Sequence, residues 1–326
     1  MRRDEQLDFS GIRTWSARER TNIVKIEDLF TPDVTPVPEW HDPNFDELVD
    51  RIVTARRNGR PVVLSMGAHV IKNWLSRYLI ALMQKGVITH IAGNGACSIH
   101  DFELSYLGGT SEHVPTAIED GSFGMWEETG GWMNEAIKLN QDHGYGCALA
   151  EYMDLHPERF PHRADCVLYQ AYQLDIPATY HIALGTDIIH EHPTCDFTAI
   201  GHASGIDFHK YCHSISQLDG GVFLNFGSGV IGPEVFLKAL AITRNLGYGV
   251  RDITTANFDL IDLGDYHKNI GYDDPNYYYR PRKNIVNRPV STGGKGWHFV
   301  VDHKVSIPNL YQKVMEATHG EGFENA

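Results

Sequence analysis

The run PVVLSMGAHVIKNWLSRYLIALMQKGVITHIAGNGA, Pro61 to Ala96, decides the fold. Two short β-branched runs each stop at small residues, Ser65 with Gly67 and Ala68 in the first and Ala92 to Gly95 in the second. Between them lies a helical stretch that reaches Lys85. A β run that halts at Gly or Ser, then a helix, then another such run is how one βα unit of a parallel sheet reads. The rhythm continues downstream through IPATYHIALGTD (176–187), GGVFLNFGSG (220–229) and VRDITTAN (250–257), with helices expected at 132–140, 147–153 and 233–245. Upstream, the first sixty residues are polar and punctuated by Pro32, Pro36 and Pro38, and then form a helix over 45–58 that Gly59 and Pro61 end. A loop over 262–279, a basic Gly-rich stretch over 280–295 and a last strand and helix close the chain. The fold class expected is α/β: a Rossmann-like parallel sheet with helices on both faces, with an N-terminal arm and helix over 1–60 and a single catalytic domain over 61–326.

Composition narrows the partners. A formal charge of −14, from 42 acidic against 28 basic residues, repels phosphate backbones and anionic lipid, so neither nucleic acid nor membrane is expected. A cationic amine would be drawn to such a surface. No apolar run approaches the roughly 20 residues of a membrane-spanning helix, and the start lacks a signal peptide's apolar core, so a cytoplasmic location is expected. The five cysteines are an odd number without CxxC spacing, which signals neither a disulfide framework nor a thiolate zinc site.

Four strand ends carry the candidate chemistry: Ser65 and Gly67, the AGNG turn at Ala92, Gly93 and Asn94, the NFGSG turn at Gly227, Ser228 and Gly229, and TTAN with Thr254 and Thr255. Small residues at a strand end let backbone N–H groups approach a phosphate at the next helix N-terminus, and in parallel sheets ligands sit beyond the carboxyl ends of the strands. No GxGxxG occurs. The densest titratable stretch, His181 to His213, holds Asp187, His190, His192, Asp196, His202, Asp207, His209 and His213. His190 and His192 would share one face of a strand or a loop end, near enough for a shared metal, but the spacing matches no zinc signature and no metal is assigned. The same groups serve as general acid or base, and Asp187, His190 and Glu103 are the expected catalytic residues. Asp101 either favours a positive helix end or, with His192 and Arg280, holds the substrate.

The order of these motifs resembles the deoxyhypusine synthase family, whose strands end at Ser-Asn, Thr-Thr-Ala-Gly-Gly, Gly-Gly-Gly and Asn-Thr-Ala-Gln-Glu turns; the Arg280-Pro281 and Ile307-Pro308 pairs have counterparts there too. IAGNGACSIHDFE is similar to the NAD-binding ornithine cyclodeaminase domain of arginine dihydrolase fusion proteins. The resemblance implies an NAD-binding fold, usually tetrameric, that removes hydride from amines. It implies that Ser65, Gly67, Ala92, Gly93, Asn94, Gly227, Ser228, Gly229, Thr254 and Thr255 line the NAD site, and Asp187 falls where the family has an acidic residue. The family's catalytic lysine position falls at Pro289 and its histidine at about Pro233, so both groups are missing; Lys295 in STGGKG is the candidate replacement nucleophile. The expected function is an NAD-dependent enzyme acting on a small amine or amino acid. The alternatives are a metal-dependent hydrolase using His181 to His213, or a non-catalytic homologue that binds NAD or a polyamine.

Overall fold

Asp42 starts the first long helix: its carboxylate accepts from the N–H groups of Asn44 and Phe45, and Pro43 occupies the first turn, where its missing N–H costs nothing. Helix α1 (Pro43–Arg57) then buries Phe45, Leu48, Val49, Ile52 and Val53, each contributing about 1.5–3 kcal/mol by leaving water. Asn58 and Gly59, the latter at φ +65°, end it. In the computed structural model, which describes residues 3–323, the helices that follow are α2 (His69–Lys72), α3 (Ser76–Gln84), α4 (Gly95–Leu107), α5 (Val114–Asp120), α6 (Glu127–Leu139), α7 (Tyr145–Leu155), α8 (Val167–Gln173), α9 (Phe197–Ser216), α10 (Ile231–Asn245) and α11 (His303–Ala317). The expected arm begins, and the expected domain ends, at residues outside those described.

Strands β1 (Val24–Lys25), β2 (Val62–Met66), β3 (His90–Gly93), β4 (Gly109–Thr110), β5 (Ala178–Tyr180), β6 (Val222–Phe226), β7 (Ile253–Asp259) and β8 (Gly294–Val300) alternate with them. β1 and β4 form an antiparallel pair that ties the arm to the segment after α4. The other six make one parallel sheet in the order β5-β3-β2-β6-β7-β8. Numbered by their turn in the chain, these six stand 3-2-1-4-5-6, the doubly wound arrangement in which strand order reverses at the centre and opens a crevice beyond the carboxyl ends. The reversal lies between β2 and β6.

The two faces differ. On one, α1, α3 and α11 cover Leu64, Met66, Leu224 and a stack of Phe226, Phe258 and Phe299, whose rings lie 4.3 and 4.9 Å apart across three strands. On the other, α9, α10 and a helical turn at Arg282–Asn287 cover Val63, Phe223 and Ile253. Both faces are buried, so the strands read as continuous apolar runs rather than alternating ones.

The structure departs from the sequence expectation in three places. The helical stretch to Lys85 is broken, because Trp74 takes φ +64° and starts a new helix. The histidine-rich stretch is neither strand nor loop end: Ile188–His190 is one 3-10 turn, and α9 carries His202, Asp207, His209 and His213 around a 20-residue helix capped by Asp196. β7 continues past the TTAN motif to Asp259, since Ala256 and Phe258 are as buried as the residues before them.

Candidate functional site

The reversal point is built from two glycine turns pressed together. Gly67 follows β2 and Gly227 follows β6; a methyl group on Gly67 would lie 2.6 Å from the Gly227 carbonyl oxygen, so no side chain fits there. Gly227 takes φ +67°, which turns Ser228, Gly229 and Val230 outward ahead of α10. Among the described residues no acceptor takes the N–H of Ser228, Gly229, Val230 or Ile231, while Gly232 N–H is held by Ser228 Oγ at 2.9 Å. Four free N–H groups at the positive end of a 15-residue helix form a cradle for an anion. The space beside Gly229 is open.

Beneath this turn a row of polar and small side chains crosses the sheet in register: Thr179, Ala92, Ser65, Asn225, Asn257 and His298. All six are buried. Asn225 Nδ2 donates to Asn257 Oδ1 at 2.7 Å and to the Ser228 carbonyl at 3.0 Å, while Asn225 Oδ1 is buried without a partner beside Ser65 Oγ, Ser228 Oγ and the first turn of α10. The NFGSG and TTAN motifs contain Asn225 and Asn257, but neither was assigned a role from the sequence, and His298 was missed. The available signal was a recurring polar residue ahead of an aromatic in three apolar strands: Asn225-Phe226, Asn257-Phe258 and His298-Phe299.

Two strands away, Gly93 ends β3 and Asn94 caps α4, its Oδ1 accepting from Cys97 N–H at 3.1 Å. Asp187 reaches this helix start from the loop after β5; its carboxylate lies where a side chain on Gly95 would be, 1.9 Å from that position. One oxygen of Asp187 is buried and unpaired, and burial pushes the carboxyl up to about 6. His190 Nδ1 accepts the N–H groups of Gly185 and Asp187 at 3.1 Å each, so the proton of the neutral ring sits on Nε2, which is buried and unpaired. Burial lowers the pKa of His190, which keeps it neutral. A cavity of about 240 Å³ opens beside Asp187, lined also by Lys72, Ala96, His100, Glu103, Glu112 and Phe123. Glu112 keeps Oε2 buried and unpaired there, while its Oε1 accepts from Trp126 Nε1 at 2.9 Å.

Other expected site residues are placed elsewhere or already engaged. Glu103 lines the cavity but offers no free oxygen: Arg20 contacts both oxygens at 2.9 Å, and Thr110 and Thr129 donate at 2.5 and 2.8 Å. Burial alone would raise its pKa, but Arg20 holds it below the ordinary value. Asp101 points away from the rim and accepts from Val167 and Leu168 N–H at 3.0 and 2.8 Å, fixing the start of α8 rather than of its own helix. His192 bonds Thr194 Oγ1 at 2.7 Å with its ring against Gly130 of α6. Arg280 pairs with Glu234, in the first turn of α10, at 2.9 Å. Lys295, Thr254 and Thr255 require correction: Thr254 pairs with Lys295 at the amino end of β7 and β8, a full strand length from the turns, because β7 extends beyond the stretch read as its end and β8 takes in Lys295 as it begins. Lys295 Nζ meets Glu47 of α1 at 2.5 Å, and Thr255 Oγ1 donates to the Ile285 carbonyl at 2.7 Å. His202, on the outer side of α9, pairs with Asp142 at 2.7 Å, and among the described residues no group of three His, Cys, Asp or Glu is arranged to hold a metal ion. No described helix is long and apolar enough to cross a membrane.

No family model matches this sequence, and no curated protein matches it. Solved structures do. A conserved putative LOR/SDH protein from Methanococcus maripaludis S2 is similar over 88% of this chain and 74% of its own, at 14% identity and a TM-score of 0.50. The likeness is one of fold. A putative deoxyhypusine synthase from Entamoeba histolytica matches over 87% of this chain and 92% of its own, at 12% identity and a TM-score of 0.47. The ternary complex of AgrE with ornithine and NAD+ matches over 85% of this chain at 13% identity and a TM-score of 0.47; this chain spans about a third, 33%, of that protein. A deoxyhypusine synthase, the family whose motifs the sequence resembles, is thus among the similar solved structures, and the Rossmann-like α/β class stands on the parallel sheet order and the likeness to the LOR/SDH protein.

Proposed function

We propose that this chain is an NAD-dependent enzyme that acts on a small amine or amino acid. One observation carries the proposal: the Gly227–Gly229 turn presents four unclaimed backbone N–H groups, at the helix start where the strand order reverses, the position at which doubly wound sheets seat a dinucleotide diphosphate. The residues fit the group. Gly67 and Gly227 let the two turns close on each other without a side chain between them, Gly229 leaves open space, and Asn225 holds the Ser228 carbonyl inward below.

When bound, the nicotinamide ring supplies a hydride acceptor. The chain's own residues do the rest. Asp187 is mostly ionised at neutral pH, with its free oxygen placed to take the proton that an amine nitrogen releases as it becomes an imine. His190 stays neutral and turns an N–H donor rather than a charge toward its surroundings. Around the cavity the acids Asp187, Glu103 and Glu112 outnumber the cations Arg20 and Lys72, while burial holds His100 down at about 4 and so uncharged, a balance that favours an ammonium group. As the resemblance implies, the protein works as a homotetramer, and light scattering on the purified chain tests that assembly directly.

The cofactor is tested by mass spectrometry of the denatured protein for a released dinucleotide and by thermal shift with millimolar NAD+. Gly229→Glu sharpens both, because nothing stands within 4 Å of the new Cβ. Its melting temperature without ligand should match the wild type, while the added carboxylate should abolish the NAD+ shift. Absence of dinucleotide together with no shift in the wild type sinks the proposal.

A further inference from the structure

The Ser228 carbonyl and the Gly229 N–H belong to one peptide plane and point in opposite directions, so whatever holds that carbonyl inward aims that N–H outward. Asn225 Nδ2 is what holds it, at 3.0 Å. An asparagine can do this only in one of its two amide orientations, and the bonds beyond it select which. His298 Nε2 lies 2.7 Å from the Ile261 carbonyl, an acceptor only, so the ring proton is on Nε2 and Nδ1 carries a lone pair. Asn257 Nδ2, 2.9 Å from that Nδ1, therefore donates to it. Its second N–H goes to Tyr279, whose own hydroxyl proton is committed to Asp259 at 2.6 Å. Asn257 must then present Oδ1 to Asn225, and Asn225 must answer with Nδ2 at 2.7 Å. Turning the Asn225 amide over would set its oxygen against two other oxygens, Asn257 Oδ1 and the Ser228 carbonyl.

We infer that Asn225 is the positioning residue of the anion cradle, and that Asn257 and His298 fix its orientation, so that the Ser228–Ile231 N–H groups are aimed before any ligand arrives. The inference rests on reading that turn as the seat of the dinucleotide diphosphate. A second feature points to a ligand at the same place: Asn225 Oδ1, fully buried and without a partner, faces the first turn of α10 and, as an acceptor, suits a ligand hydroxyl or other donor beside the anion rather than the anion itself. Preset donors bind an anion without first reorganising, so the effect of losing Asn225 falls on affinity rather than on folding alone.

Calorimetric titration with NAD+ and with inorganic pyrophosphate tests this on two isosteric variants. Asn225→Asp removes the donor to Ser228, whereas Asn257→Asp keeps the oxygen that Asn225 needs and serves as a control with the same change in buried charge. Asn225→Asp should weaken both ligands by about tenfold or more and Asn257→Asp by less than about threefold, at similar losses in melting temperature. Asn225→Ser, which removes the amide without adding charge, should weaken both as well and replaces Asn225→Asp if the latter does not fold. A long-range proton–nitrogen NMR spectrum should place the His298 proton on Nε2. Affinity retained in the Asn225 variants, equal losses in Asn225→Asp and Asn257→Asp, or a proton on Nδ1 overturns the inference. A wild type that binds pyrophosphate but not NAD+ defeats the cofactor reading and leaves Asn225 to be judged on pyrophosphate; a wild type that binds neither defeats both.

Discussion

Asp187 pays for its position in stability. Its carboxyl is pushed up from 3.8 to about 6, chiefly by burial, which the neighbouring Thr186 side chain only partly opposes. The folded chain therefore holds a proton that the unfolded chain releases between those values, and stability falls as pH rises from 3.8 through about 6. Two units correspond to ~3 kcal/mol at neutral pH. Asp187→Asn should recover up to ~3 kcal/mol at about pH 7.5 and about a third as much at about pH 4.5, read by urea titration, and should cost ~100-fold or more in turnover. Asp101 and Asp207, raised to about 6 and about 7, titrate in the same range but cancel in the comparison of the two proteins. At this scale the sequence was informative about the glycine turns, because a glycine at a strand end is a local signal. Asn225, Asn257 and His298 were invisible as a group: their partnership depends on the register of three strands far apart in the chain.

The elements were legible where apolar periodicity was unbroken and misread where it ran on. Gly67, Gly93 and Gly227 mark true strand ends because helices follow at once. Thr254 and Thr255 looked like an end because hydroxyls often close a strand, yet Thr255 gives its hydroxyl to the Ile285 carbonyl of the helical turn packed on the sheet, and β7 runs four residues further. α9 was missed because its many histidines drew attention to ligand chemistry, although Ile200, Ala203, Tyr211 and Ile215 form its buried side. The misplacement of Lys295 has a direct consequence. It is half-exposed beside Glu47 and the Trp297 ring at the amino end of the sheet, so Lys295→Met should change stability by less than ~1 kcal/mol and leave NAD+ affinity and turnover within about twofold, measured by denaturant titration and calorimetry. A large loss of turnover would return Lys295 to the reacting centre.

Across the whole molecule, the arm is joined to the site by a buried ion pair. Arg20, from the arm, and Glu103, from α4, are 4% and 1% exposed, and the arm is further tied by the Ser16 and Ala17 bonds to Glu128 and by the β1–β4 pair. The first sixty residues read as a polar arm in the sequence, but nothing local showed that one of their arginines would enter the core. Arg20→Met leaves Glu103 charged and buried, and should destabilise by ~3–5 kcal/mol. Adding Glu103→Gln to it should restore part of that loss, since it removes the buried charge and, of Thr110 and Thr129, which donate to different oxygens, one can still donate to the carbonyl oxygen while the other accepts from the amide. A double variant less stable than Arg20→Met alone would contradict this account.

The pairing of β2 with β6 carries a consequence for the order in which the molecule comes together. These strands lie side by side at the centre of the sheet, yet one begins at residue 62 and the other at residue 222. A nascent chain can therefore assemble β2, β3 and β5 while still lacking the opposite wall of the crevice. If the turn seats a dinucleotide as proposed, that ligand has nothing to grip until this long-range contact has closed, so it stabilises the finished fold rather than templating it. Refolding by stopped flow should proceed at one rate with or without saturating NAD+, while unfolding slows as occupancy rises.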